Sequence, residues 1–429
     1  MTTHSSTGPD LPAGGGLRAR KAAVAAGYAA QGLGYAAVMT ALPTFQDTWG
    51  IDETGVSLIL LGTCVMAGLG SVAADFLAVR RGSRVAVCAA LAVQTVAIAT
   101  MALAPAYGVF LAAVIVYGIG LGTMDAAVNM QGTMLEARTG IAHLGRFYAA
   151  YTAAAALGAV AMSGFLSSSA GAVGALFTAA VVQIAVAAFG FGALDPSRER
   201  AAPKTDPRAA DDARPVLPRR AIWVVGIVLM AAYMLDSAVS TWSTVYLTET
   251  FDGVARLAPL GYALYQATTL ISRLLTDRLE MRWGVTRLAI AAIVIGLAGC
   301  IVVAAVPTFA GAVTGFAIAG VAVGMLVPVT FAAAGRILPA RRDEVIARVN
   351  LFNYVGVILG AVTIGAIASG SGIGPAFLIP AAGLLAVIPA VRRIHAHTGS
   401  VVAGRSAAGQ SPADQSPADQ SPADQSPSR

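Results

Sequence analysis

Charge is nearly absent from long stretches of this chain, and that absence constrains the fold more than any other feature. From Arg146 to Asp195, from Arg287 to Arg336 and from Arg348 to Arg392 no charged residue occurs; Arg84 to Glu136 contains only Asp125, and Arg220 to Glu249 only Asp236. Lys21 to Asp47, Glu53 to Asp75 and Arg256 to Arg273 are shorter intervals of the same kind. A bilayer core is crossed by about 20 apolar helical residues. Four intervals therefore hold one span each, and four hold a helical hairpin, broken at Ala104-Pro105-Ala106, at Ser167 to Gly171, at Pro307 and at Gly370 to Pro375. Twelve spans is also the ceiling from composition: 57% of 429 residues are hydrophobic, enough for about twelve such helices. A soluble enzyme on a single anchor is excluded. A mean hydropathy of +0.72 excludes a membrane β-barrel, whose strands alternate apolar and polar residues, and lipid leaves helices as the other way to pair every backbone group.

Orientation follows from the basic residues. Placing alternate connections on one side gathers all 28 Lys and Arg there except Arg256. By the positive-inside rule that side is cytoplasmic, with both termini inside. The net charge of +6 thus has a topological explanation, and nucleic acid is not an expected partner. The sequence divides into a disordered cytoplasmic N-terminus (1–20), a six-helix bundle (21–194), a cytoplasmic linker (195–220) rich in charge and proline, a second six-helix bundle (221–393), and a disordered tail (394–429) that repeats Ser-Pro-Ala-Asp-Gln. The apolar stretch after Lys21 runs about 20 residues and continues into further spans, so it reads as a retained signal-anchor rather than a cleaved signal. Cys64, Cys88 and Cys300 have no metal-site spacing and read as packing residues.

The two halves share a motif. Asp75-Phe-Leu-Ala-Val-Arg80-Arg-Gly82 ends the second span and Asp277-Arg-Leu-Glu-Met-Arg282-Trp-Gly284 ends the eighth, both reading D-x-L-x-x-R-x-G. Parallel six-helix repeats about an axis along the membrane normal build one large class of transporters. With Met124-Asp125-Ala-Ala-Val-Asn129-Met-Gln131-Gly132 and Thr241-Trp242-Ser243-Thr-Val-Tyr246-Leu247, the chain resembles the major facilitator superfamily, and within it the fucose permease-like branch with its YbjJ-like group of bacterial inner membrane proteins. The resemblance covers all the spans and implies two pseudo-symmetric six-helix bundles. The sequence departs from the family patterns at Val79 and Met281, where the loop motif usually has Asp; at Thr241, where an acid is usual; and at Tyr148, where a His is common.

Asp125 and Asp236 are the only ionisable residues that this reading places well inside spans. A carboxylate at the bilayer centre costs roughly 2.5–3.5 kcal/mol even on lenient scales, so intramembrane acids face cavities, pair or hold a proton. Both are proton-coupling candidates, with a structural hydrogen bond to a neighbouring helix as the alternative. Asn129 follows Asp125 by one turn and shares its face. Gln31 and Tyr35 lie on a polar stripe of the first span with Tyr28. Tyr148, Tyr151, Trp242, Gln266 and Asn353 extend the set of cavity candidates; rings with neutral amides suit a polar, uncharged ligand, while interfacial anchoring is the competing reading for Trp242. No Lys or Arg is expected at mid-depth, which disfavours anionic substrates. Asp75, Arg80, Gly82 and Arg84, with Asp277, Arg278, Arg282 and Gly284, are read as a latch that joins the halves in one conformational state. Their alternative is plain positive-inside charge.

The resulting expectation is a proton-coupled secondary active transporter of a small polar metabolite, sugar-like ligands included, in the cell membrane. The alternatives are a proton/drug antiporter and a non-transporting sensor or scaffold. Neither Lys21 nor Lys204 follows a glycine, so no P-loop exists and ATP is not a partner. The substrate, protons and the lipid bilayer are the expected partners of a monomer; no cofactor, metal or enzymatic activity is expected.

Overall fold

The computed structural model describes residues 14–141, 143–197, 216–338 and 341–392. The chain before residue 14, most of the linker and the repeat tail lie outside the described residues.

Among the described residues every regular element is a helix: α1 (Gly14–Thr40), α2 (Leu42–Trp49), α3 (Glu53–Arg81), α4 (Ser83–Ala102), α5 (Tyr107–Thr139), α6 (Leu144–Leu166), α7 (Gly171–Ala193), α8 (Arg219–Thr250), α9 (Pro259–Ala305), α10 (Phe309–Ile337), α11 (Arg342–Ser371), α12 (Ile373–Ala376) and α13 (Leu378–Ala386). Ten helical segments are long and apolar enough to cross a membrane. The breaks fall where breakers stand in the sequence. Pro105 separates α4 from α5, the serine run separates α6 from α7, and Thr308 after Pro307 caps α10 by accepting from the Gly311 N–H at 3.0 Å. At the α5–α6 turn Glu136 accepts from the backbone N–H groups of His143 and Leu144 at 2.5 and 2.7 Å, satisfying donors that a helix start leaves unpaired. α1 begins at Gly14, so residues 14–20, expected to be disordered, are helical.

The repeat read from the motif is visible in the backbone. Gly82 (φ 93°, ψ 149°) and Gly284 (φ 75°, ψ 161°) share a conformation that is essentially restricted to glycine. Each turns the chain between successive helical segments; Gly284 bends α9 into two. Packing repeats as well. α1 packs on α6 and α3 on α5, as α8 packs on α11 and α9 on α10. Gly118 and Gly122 of α5 lie against the α3 backbone; a Cβ at Gly118 would sit 2.9 Å from the Thr63 carbonyl oxygen. Gly320 and Gly324 of α10 meet Tyr265 and Thr269 of α9 in the same way, the small-residue contact that membrane helices use to approach closely. Leu58, Val65, Leu69 and Val72 of α3 are exposed, as befits a surface bathed in hydrocarbon.

Charges at the arginine-rich end, where Gly82 and Gly284 turn, pair within each half. Asp195 contacts Arg20 at 3.1 Å and Arg138 at 2.5 Å, and accepts from the Ser197 N–H at 2.9 Å. Glu280 pairs with Arg336 in the second half. Burial alone would push the Asp195 carboxyl up, but the Ser197 hydrogen bonds and the Arg138 and Arg20 charges outweigh it and hold the carboxyl below its ordinary value of 3.8. A carboxyl depressed on folding stabilises the fold above its unfolded value, and that contribution is lost as pH falls through the folded one. The arginines are 21% and 40% exposed, which screens the pair. Asp195→Asn is expected to destabilise the first half by about 1–3 kcal/mol at neutral pH. Thermal unfolding should show the gap between variant and wild type closing below about pH 4; equal stability at pH 7 would contradict the assignment.

Candidate functional site

The halves α1–α7 and α8–α13 meet through α3 with α11 and α6 with α9. Among the described residues four hydrogen bonds cross between them. Three sit toward the end opposite the arginines: Gln46 Nε2 donates to Glu249 Oε1 at 2.8 Å, Ser163 Oγ to the Arg256 carbonyl at 2.6 Å, and Ser57 Oγ to the Val362 carbonyl at 3.5 Å. The fourth lies deeper, from Arg273 Nη1 to Thr152 Oγ1 at 3.1 Å. At the arginine-rich end no ion pair among the described residues joins the halves. Among the described residues the bonds that hold the halves together thus gather toward one end of the cleft between them.

Two clusters line this cleft. On the first half Asp125 is exposed, about 27 Å along α5 from Tyr107 at a rise of about 1.5 Å per residue. Asn129, one turn on, donates from Nδ2 to the Asp125 carbonyl at 2.8 Å, and its Oδ1 accepts from Tyr28 at 2.6 Å and Tyr148 at 3.0 Å. The Tyr28 and Tyr148 rings meet edge to face at 5.1 Å. Three helices thus converge on one amide, with the Asp125 side chain exposed beside it. On the second half the Tyr265 hydroxyl of α9 donates to Asp236 of α8. Behind it Gln266 Nε2 donates to the Tyr262 hydroxyl at 2.8 Å. Tyr35 of α1 and Tyr151 of α6 are within electrostatic reach of Asp236 and Tyr262, and Tyr354 of α11 is within reach of Asp125, so the clusters face each other.

Several expected cavity residues lie elsewhere. Gln31 is buried inside the first half, where Gln94 Nε2 donates to its Oε1 at 3.0 Å, Gln183 Nε2 donates to Gln94 Oε1 at 3.2 Å, and Gln31 itself donates to the Leu121 carbonyl at 3.4 Å. Trp242 is wholly buried, its indole N–H donating to the Ala361 carbonyl at 2.9 Å to tie α8 to α11. Gln266 is 5% exposed and committed to Tyr262. Asn353 is partly buried, with its Oδ1 unpartnered among the described residues. Among the described residues no hydrogen bond or ion pair joins the latch residues across the halves. Asp75, Arg80, Asp277, Arg278 and Arg282 are exposed, the Arg80 guanidinium lies over the Phe76 ring at 4.0 Å, and that of Arg84 lies over Phe191 at 4.9 Å.

One expectation is overturned outright. A basic residue does stand deep in a span: the spacing of charges ends the eighth span at Arg273, but that helix runs on to Gly284. Arg273 is about 21 Å along α9 from Pro259 and about 16 Å short of Gly284. Its charge reaches Asp236, Tyr148, Tyr233 and Tyr265. The signal is present in the repeat: each glycine marks a span end, and eleven residues before it stand Ser71 in one copy and Arg273 in the other. Tyr233 of α8, within reach of Asp125, Asp236 and Arg273 together, also escapes the sequence reading, because a tyrosine three residues from an acid carries no distinctive pattern.

Known proteins share this fold. The family model described as Major Facilitator Superfamily matches residues 24–308 and 257–416. An uncharacterised MFS-type transporter of Yersinia pestis is 25% identical over 369 residues, covering 85% of this chain and 92% of its own length. The crystal structure of the nucleoside transporter NupG superposes with a TM-score of 0.68 at 13% identity, covering 88% of this chain and 99% of that one. FucP in the outward conformation gives 0.60 at 16% identity, with 87% and 98% covered. At such identities the structures establish a shared fold alone.

Proposed function

The chain belongs to the major facilitator superfamily, and from that premise we propose that it moves a small polar metabolite across the cell membrane by proton-coupled alternating access. It is a multi-pass membrane transporter, not an enzyme. The twelve-span reading is supported by arithmetic on the helices: ten candidate segments, one of which Gly284 divides in two, and the 27-residue α1. With the arginine-rich end assigned to the cytoplasm and the bonds between the halves gathered at the other end, the proposed transporter is in a state that opens inward.

The observation that carries the reading is the pair of carboxylates on opposite halves of a cleft that is bonded across toward one end. Asp125 and Asp236 sit on different halves, so relative motion of the halves changes the surroundings of both. A carboxyl alternately wetted from one side and the other exchanges its proton with each in turn, and a ligand bound between the walls ties that exchange to its own passage. The latch residues at the open end fit the opposite state, in which that end closes.

Reconstitution into proteoliposomes with a pH-sensitive dye in the lumen tests this. Adding a transported metabolite is expected to move protons with it, and an imposed pH gradient to accumulate it. A metabolite that equilibrates at the same rate and to the same level whatever the gradient would refute proton coupling.

A further inference from the structure

Resting on the transporter reading above, we propose that Arg273 is the subsite for a carboxylate on the substrate, so that the metabolite carried is a small organic monoanion. The guanidinium stands well inside α9, half-buried, and reaches across to the first half. Its hydrogen bond among the described residues comes from Nη1 to Thr152, and no carboxylate of those residues lies within 4.0 Å of it. Arg has five N–H donors in a planar fork that matches a carboxylate edge. Most of that fork is unspent, in a position where an unpaired charge is expensive and is retained for function.

The neighbouring groups are arranged to leave it so. Asp236, the carboxylate within electrostatic reach, is engaged instead by Tyr265. Thr152 donates its own hydroxyl to the Tyr148 carbonyl at 2.9 Å, which turns its oxygen lone pairs toward Arg273. Tyr265 lies about two turns from Arg273 on the same helix, and long helical side chains point back toward the N-terminus; the guanidinium is thereby brought toward Asp236 without meeting it. Tyr148 and Tyr233 also lie within electrostatic reach of the Arg273 charge. Charge balance sets the valence. With Asp236 holding its proton on Tyr265's side, the one guanidinium balances a single negative charge and leaves the second charge of a dianion such as a phosphate monoester unmatched. A lipophilic cation would meet Arg273 head on.

Thermal unfolding of the purified protein decides the matter, using matched pairs at millimolar concentration: D-glucuronate with D-glucose, L-lactate with 1,2-propanediol, benzoate with benzyl alcohol, and tetraphenylphosphonium as a cation. At least one carboxylate is expected to raise the melting temperature by several degrees while its neutral partner does not, since a ligand of the native state stabilises it. Arg273→Gln should weaken that carboxylate by about 10–100-fold, and Arg273→Lys, which keeps the charge but not the fork, by less. If Arg273→Gln does not fold, the lysine variant decides, with an unchanged response counting against the proposal. A wild type stabilised by none of the carboxylates, or a carboxylate response that survives Arg273→Gln, overturns it. Proteoliposome flux separates the two readings: a carboxylate that binds through Arg273 but is not carried sinks the transport reading and leaves the subsite standing, whereas one carried equally well by Arg273→Gln sinks the subsite alone.

Discussion

Asp236→Asn is expected to abolish proton-driven accumulation while leaving exchange of substrate across the membrane intact. Asparagine has the shape of aspartate, and its carbonyl oxygen can still accept from Tyr265, the partner of Asp236 in the structure; the site should keep its packing. What it loses is the capacity to gain and release a proton. One proton moved with each substrate across a gradient of one pH unit drives about tenfold accumulation, so the variant should fall to an internal concentration equal to the external one. Counterflow of preloaded substrate, which needs only alternation between the two open states, should persist. The measurement is paired: gradient-driven uptake and counterflow on the same proteoliposomes. Accumulation retained in full by the variant would remove Asp236 from the coupling step, and loss of both activities would assign it to binding instead.

Tethering the two halves at their closed end should stop transport altogether. Gln46 and Glu249 touch across that end at 2.8 Å, one contributed by α2 and the other by the last turn of α8. In a Gln46→Cys, Glu249→Cys variant a short bifunctional thiol reagent with a cleavable disulfide spacer should bridge the pair and hold the end shut. Alternating access requires that end to open once per cycle, so uptake should fall to background when the bridge forms and return when a reductant cleaves it. The native cysteines Cys64, Cys88 and Cys300 make a cysteine-replaced background the proper control. Transport that continues at full rate through a demonstrated bridge would mean that the halves do not part there.

Much of this architecture is legible in the sequence because membrane helices are bounded by residues that lipid rejects. Pro105, the serine run from Ser167 and Pro307 all mark real breaks, and the glycine motif anticipates the shared backbone of Gly82 and Gly284. The two acids are visible for the same reason: charge inside an apolar run stands out. That logic fails at Arg273, where charge reads as a boundary although the helix continues past it. It also does not tell which face a polar residue occupies. Gln31 and Tyr28 are one turn apart on α1, yet Tyr28 reaches the cluster beside Asp125 while Gln31 turns into its own bundle. Trp242 likewise joins α8 to α11 through a bond that no local pattern announces. Depth follows from sequence spacing, but facing depends on which neighbours the other helices supply.

The chain of carboxamides Gln31, Gln94 and Gln183 limits how the machine can work. It stitches α1, α4 and α7 together at a depth where water cannot replace a broken bond, so sliding any one of these helices past the others would strand amides in a medium that offers them nothing. Motion that spares the stitch must carry the three helices as one block. In the proposed cycle the gating is therefore divided between whole bundles, hinging at the few hydrogen bonds among the described residues that cross from one to the other, while the interior of the first bundle stays locked.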